Sequence, residues 1–260
     1  MYNVGAIEYA IFMKNVGGLH MKNIVSILII CLVSLTAISL SACTDETQGL
    51  LYEKIDGKKE YAVFDLGIAK SQKIVIPSEY NGLPVTAISD EAFKGTNITS
   101  IIIPDSVKEI GAKAFYDCRK LSSIRLPKDL EEIKAETFVN CGALEEIVIP
   151  DSVKTISASA FKTTGLKNLI IPNNVEYIGY ESFYGCVRLE SVIIGRNVNM
   201  IQPYAFYYCR NLKSATFVDS SNWTLTGIIF GEGNLDDHQK LASYLIDEDY
   251  CMRIWQKKND

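Results

Sequence analysis

Histidine is almost missing from this chain of 260 residues, which has only His20 and His238. That scarcity excludes a histidine-based metal site, and the sequence places no nucleophile beside His238. Cys-x-x-Cys, Gly-x-Ser-x-Gly, a glycine-rich phosphate loop and His-Glu-x-x-His are absent as well. Carboxylate pairs such as Glu131-Glu132 and Glu145-Glu146 do recur. They fall at solvent-facing repeat positions, and nothing singles out two of them as a glycosidase pair. No enzyme activity, cofactor or metal is expected. Basic tracts are missing too. The net charge is −5, and residues 1–42 contribute +1 (Glu8 against Lys14 and Lys22), leaving −6 for the rest. A mildly acidic chain is not built for nucleic acid, where phosphate neutralisation dominates affinity.

What is present begins with one long apolar run, Ile24 to Leu40 (IVSILIICLVSLTAISL), behind the basic start Met21-Lys22-Asn23. A basic start, an apolar stretch and a small-residue end make a secretory signal. Leu40-Ser41-Ala42-Cys43 resembles a lipobox, which implies cleavage before Cys43 and acylation of its thiol. The alternative is a transmembrane anchor, but 17 residues sit at the lower limit for spanning and the positive flank is on one side only. Residues 1–20 hold no second signal, so Met21 is the expected start and the upstream piece an over-extension. The expected location is the bacterial cell envelope, exported, lipid-anchored through Cys43 and surface-exposed.

The remainder is periodic. Prolines close an Ile/Leu-rich triplet at Pro77, Pro104, Pro127, Pro150 and Pro172, with Gly195 and Val218 in the same slot; the spacings are 27, 23, 23, 22, 23 and 23. A second series, Phe93, Phe115, Phe138, Phe161, Phe183 and Phe206, keeps the same period. Two registers in phase mark a repeat architecture. In Leu121-x-x-Ile124-x-Leu126-Pro127, alternation sends Ile124 and Leu126 inward and Ser123 and Arg125 outward. Proline then ends the strand. Pairs such as Val107/Ile110 and Leu130/Ile133, with the Phe, return apolar groups to a core that stacked neighbours bury together.

The unit Ile101-x-Ile103-Pro104-Asp-Ser-Val107-x-x-Ile110-Gly-x-x-Ala-Phe115-x-x-Cys118-x-x-Leu121 resembles the BspA-like (treponemal-type) leucine-rich repeats of bacterial surface proteins. The likeness runs over about residues 50–260, with departures at Gly195, at Gln202-Pro203 and at Thr96 and Thr164, which take the Cys slot. It implies a right-handed repeat solenoid, a leucine-rich-repeat arc with a parallel β-sheet on its concave face and short strands or turns on its convex face. It also implies adhesion to host or neighbouring-cell proteins.

The expected organisation is a signal over 21–42, a tether over 43–50, an N-terminal cap over 51–73, repeats over 74–218 and a C-terminal cap over 219–260. The repeats make about six units of about 23 residues. The first cap reads as a hairpin turning at Asp56-Gly57. The second holds a helix over His238 to Ile246, with Trp223, Phe230 and Trp255 closing the end and a loop over 227–233. Cys118, Cys141, Cys186 and Cys209 share one slot, and stacked side chains that point the same way are read as buried free thiols.

Two surfaces are candidates for binding. The outward residue of each strand triplet gives the row Val75, Ile102, Arg125, Val148, Ile170, Ile193 and Thr216. In an unbroken seven-strand ladder it would span roughly 30 Å. A contiguous apolar row on a wet surface marks an interaction site; equally, β-branched residues suit a parallel ladder. The second surface is the tyrosine group Tyr180, Tyr184, Tyr204, Tyr207 and Tyr208, placed to stack on sugars or anchor a protein. The same slots suit packing over neighbouring coils, and packing is the preferred reading there. The function expected is a cell-surface protein-binding module for an extracellular or cell-surface protein. The alternatives are a self-associating envelope protein and a glycan-binding accessory lipoprotein.

Overall fold

The computed structural model describes residues 49–219, 223–225, 228–229 and 238–257. The apolar run, Cys43 and Phe230 lie outside the described residues, and no helix within them is long and apolar enough to cross a membrane. The repeats wind into a solenoid of parallel strands. Counted from the first residue of each strand segment, coils 1 to 7 begin at residues 73, 100, 123, 146, 168, 191 and 214. The strand segment sends alternate residues inward, so Ile101 and Ile103 are fully buried while Ile102 is half-buried. A two-residue strand on a second face, such as Thr155–Ile156 or Tyr177–Ile178, brings in the next apolar group.

A third side is formed by turns, and it closes through backbone strain. Coil 2 places Lys113 (φ 59°) and Asp117 (φ 58°) in the left-handed region; coil 3 uses Glu136 and Asn140, coil 4 Ser159 and Thr163, and coil 6 Tyr204 and Tyr208. Coils 1 and 5 put Gly95 and Gly185 in the second of these slots. The sharp bends aim each turn at the next coil. Phe115 N donates to Thr137 O at 3.0 Å, Phe138 N to Ala160 O at 2.8 Å and Phe183 N to Ala205 O at 2.8 Å. Strain of this kind costs on the order of 1 kcal/mol per residue and persists only where surrounding structure holds it.

Inside the turns the six phenylalanines stack as one column, with ring centroids 5.1–5.4 Å apart and planes within 12°. The cysteines line up beside them. Cys118 Sγ donates to Phe93 O at 2.9 Å, Cys141 to Phe115 O, Cys186 to Phe161 O and Cys209 to Phe183 O, each reaching the preceding coil. Burial pushes the Cys118, Cys141 and Cys209 thiols above their ordinary pKa, which keeps their protons available for those bonds. Thr96 and Thr164 fill the same slot and contact Cys118 and Cys186 at 3.4 and 3.1 Å. The slot therefore selects a small side chain with one proton to donate.

The strand face departs from the expected seven-strand ladder. Lys73–Val75, Ser100–Ile102 and Ser123–Arg125 form one parallel sheet, and Asn168–Ile171, Ser191–Ile194 and Ser214–Phe217 form another. Between them, residues 146–149 of coil 4 share no backbone hydrogen bond with either neighbour. On the second face a similar gap separates Glu109–Ile110 of coil 2 from Glu132–Ile133 of coil 3. Coil 3 thus sits at a seam. It carries Leu126 and Leu130 where the other coils from 1 to 6 have Ile and Val. Leu130 adds one methylene to its column and Leu126 moves the branch point of its side chain by one carbon, changes that a close-packed core accommodates by backbone shifts; the strand-face break itself lies on both sides of coil 4.

The caps cover both ends. Leu51–Lys54 and Tyr61–Asp65 form the antiparallel hairpin, with Gly57 left-handed at its turn, and the second strand continues in parallel onto Leu83–Ile88. Asn81 and Gly82 (φ 50° and 74°) make a second tight hairpin between Glu79–Tyr80 and Leu83–Ile88. At the far end, helices α1 (His238–Ile246) and α2 (Glu248–Cys251) precede the strand Trp255–Lys257, which pairs antiparallel with Met200–Ile201. Trp223 and Trp255 are buried there. Ile228–Ile229 is a short strand on Trp223–Leu225 rather than part of a loop.

Candidate functional site

The apolar row lies on the strand face because alternation turns the middle residue of each triplet outward. Register is kept within each sheet: Val75 opposes Ile102 and Ile102 opposes Arg125, while Ile170 opposes Ile193 and Ile193 opposes Thr216. Neighbours in a ladder about 4.8 Å apart shield one another, so Val75, Ile102, Ile170 and Ile193 are only half-buried rather than fully wet. Val148, in the unpaired coil, stands out at 69% exposed, with Ile147 and Ile124 half-buried beside it. Thr216 does not belong to the accessible surface: it is 5% exposed, on a strand against which α1 packs. Arg125 bends back over coil 2, its guanidinium donating to Ile103 O at 2.8 Å and to Asp105 at 3.0 Å.

Charge frames this row. Glu145, just before the unpaired segment, accepts from Lys167 at 2.5 Å and pairs with Arg188 at 2.7 Å, and the lysine contact foremost holds its carboxyl below the usual range. Where the second face is open, side chains bridge it. Lys134 pairs with Glu109 and Lys108 with Asp129 at 2.6 Å, while on the turn side Lys113 pairs with Glu136 at 3.7 Å. The open seam does not follow from the period alone; in sequence, coil 3 differs from its neighbours in the Leu126/Leu130 pair.

The five tyrosines do come together. Tyr180 meets Tyr204 (5.7 Å), Tyr184 meets Tyr207 (5.9 Å) and Tyr208 (5.6 Å), and Tyr207 meets both Tyr204 (5.7 Å) and Tyr208 (4.4 Å). Their packing is mutual, ring against ring along the turn edge, and it leaves Tyr180 and Tyr208 exposed. Lys162 Nζ lies 4.6 Å over the Tyr184 ring and the Arg210 guanidinium 4.8 Å over Tyr208. Tyr207 donates its hydroxyl proton to Glu248 Oε1 at 2.5 Å, and that bond raises the phenol pKa. Among the described residues, no group of three His, Cys, Asp or Glu side chains converges as a metal site.

The comparisons agree with this geometry. The family model for the BspA type leucine rich repeat region matches residues 86–213 in six copies. Among solved structures, the leucine-rich repeat protein TpLRR of T. pallidum is 32% identical with a TM-score of 0.62, covering 64% of this chain and 78% of its own. A leucine-rich repeat protein from Bacteroides ovatus is 29% identical (TM-score 0.55; 65% of this chain, 52% of its own). A leucine rich cell surface protein from Faecalibacterium prausnitzii is 25% identical (TM-score 0.54; 72% and 56%). The chain therefore spans little more than half the length of the latter two. No curated protein matches it significantly.

Proposed function

This chain belongs to the BspA-type leucine-rich repeat family, and we propose that it is a protein-binding platform whose strand face takes an extracellular protein partner. Repeats of this type are general protein-interaction scaffolds, which favours binding over catalysis. The observation that carries the reading is the apolar row itself. Val75, Ile102, Ile170 and Ile193 stay partly open along the two sheets, and Val148 projects at 69% exposure from the coil between them. An apolar strip edged by Ser100, Ser123, Asn168 and Ser191 has the composition of an interface core with a polar rim. The two sheets hold Val75, Ile102, Ile170 and Ile193 in register, so little ordering entropy is lost there on association. The signal-like run ending in Leu40-Ser41-Ala42-Cys43 supports display on the outside of the cell through a lipid on Cys43, and the partner class follows from that placement.

The test is binding of the full chain to a panel of extracellular-matrix and surface proteins, beside two variants. Val148→Asp changes an exposed side chain and should leave the fold intact while weakening binding at least tenfold. Ile102/Ile170/Ile193→Asp should abolish it. Binding at full strength by Val148→Asp and the triple variant together would rule the strand face out.

A further inference from the structure

The turn edge of coil 6 carries a second, separate site. A cleft of about 280 Å³ opens there, lined by Tyr207, Tyr208, Arg210, Ile246 and Glu248. That volume is near the lower end for small-molecule sites, about right for one ring-sized ligand. Three features of the cleft point to a ligand rather than to packing.

The first is what the turn displays. Left-handed slots recur in every coil from 1 to 6, and coil 6 alone places aromatic residues, Tyr204 and Tyr208 (φ 61° and 60°), in both of them. The turn geometry thus brings two rings to the edge of one coil. The second is unspent hydrogen bonding. The Arg210 guanidinium lies over the Tyr208 ring, Glu248 uses one carboxylate oxygen for Tyr207, and among the described residues neither the guanidinium nor the second carboxylate oxygen has a hydrogen-bond partner. The third is pre-organisation. The Tyr207–Glu248 bond at 2.5 Å and the 4.4 Å contact of Tyr207 with Tyr208 fix ring and carboxylate before any ligand arrives.

We propose that this cleft binds a neutral saccharide. A pyranose has an apolar C–H face that lies against an aromatic ring, and adjacent hydroxyls that both donate and accept. Tyr208 supplies the part of its ring that Arg210 and Tyr207 leave exposed, the Arg210 N–H groups donate to one hydroxyl, and the second oxygen of Glu248 accepts from its neighbour. The two charges of the cleft cancel, and a chain of net charge −5 gives no long-range attraction to an acidic sugar. Ile246 closes the apolar side.

The site is tested on the full chain in a detergent without a sugar headgroup. Neutral gluco-, galacto- and manno-oligosaccharides are titrated by calorimetry and by saturation-transfer NMR, next to uronic-acid oligomers and an acidic peptide. Tyr208→Gly removes the ring while easing the backbone, as Gly185 does in the coil before, and its melting curve and circular dichroism, recorded beside binding, separate a lost ligand contact from a lost fold. Tyr208→Gly and Arg210→Met should each weaken neutral-saccharide binding at least tenfold, with the melting temperature unchanged or raised for the glycine variant. Val148→Asp, on the strand face, should have no effect, which keeps this site distinct from the protein platform. No binding at millimolar sugar, binding unchanged by Tyr208→Gly, or binding confined to the acidic oligomers or the peptide would each overturn the proposal.

Discussion

Coils 5 and 6 meet along Asn168–Ile171 and Ser191–Ile194 in unbroken register, along Tyr177–Ile178 and Met200–Ile201 on the second face, and through the turns. Coils 3 and 4 share the second face and the turns but no strand-face bond; coils 2 and 3 share the strand face and the turns but no second-face bond. The same period thus builds two kinds of joint. In the regular joint the backbone does the joining. In the seam, side chains do much of it: the phenylalanine column runs through without a break, and ion pairs such as Lys134–Glu109 and Lys108–Asp129 bridge the open face. A solenoid's stability is a sum over neighbour interfaces, so the seam is where the array should come apart first, and it is also where Val148 is most open to a partner.

The largest expected effect tests the shared column. Phe138→Ala and Phe183→Ala should each cost about 3–5 kcal/mol, as for other buried phenylalanines. At the seam the loss should split urea unfolding into two transitions, one for each half of the array. Phe183→Ala should keep a single transition. One transition in both variants would show that the seam is not the weak joint.

Hydrogen exchange sharpens the contrast amide by amide. The N–H groups of Ile147, Val148 and Ile149 lack backbone partners and should exchange about 100-fold faster than those of Val192, Ile193 and Ile194, whose strand is paired on both sides, reflecting low local opening energy. Leu126→Ile with Leu130→Val should restore protection at 147–149 if the shape of Leu126 and the added methylene of Leu130 part the ladders. Unchanged exchange in that double variant would remove the leucines as the cause.

The smallest effect is electrostatic. The Lys108 ammonium beside Asp129 holds its carboxyl below the usual aspartate pKa. A carboxyl depressed in the folded chain contributes stability that is present above its unfolded pKa, about 3.9, and is lost as pH falls through the folded value. Protection around coils 2 and 3 should therefore drop as pH is lowered below about 4, while coils 5 and 6, joined on both faces by backbone bonds, change little. Equal loss in both regions on an acid exchange series would contradict the side-chain account of the seam.

The recurring Phe, the proline-closed triplets and the Val-x-x-Ile pairs were readable without coordinates because each states a burial requirement at a fixed period. Phe93 to Phe206 had to stack, and they do. The Cys/Thr slot was legible for a similar reason, since interchange of the two residues implies a small buried side chain; the cysteines' hydrogen bond to the preceding coil was visible only in the structure. The hairpin at Asp56-Gly57 and the helix over His238 to Ile246 followed from local turn chemistry and apolar spacing. Alternation also told which residue of each triplet turns outward, but not how open it would be. Thr216 lies under the strand's contact with α1 and Arg125 folds onto Asp105, because those outcomes depend on a cap and a neighbouring coil that no local pattern names.

For this protein, then, the sequence by itself determined the repeat, its core and its order of coils, since periodic burial and turn residues act over a few neighbouring positions. Only the tertiary structure decided where the ladders part, which of the row's side chains remain open, and that tyrosines from two coils meet Glu248 of α2 around one cleft. Those are sums of small differences in packing between stacked coils, and they exist only once every coil is in place.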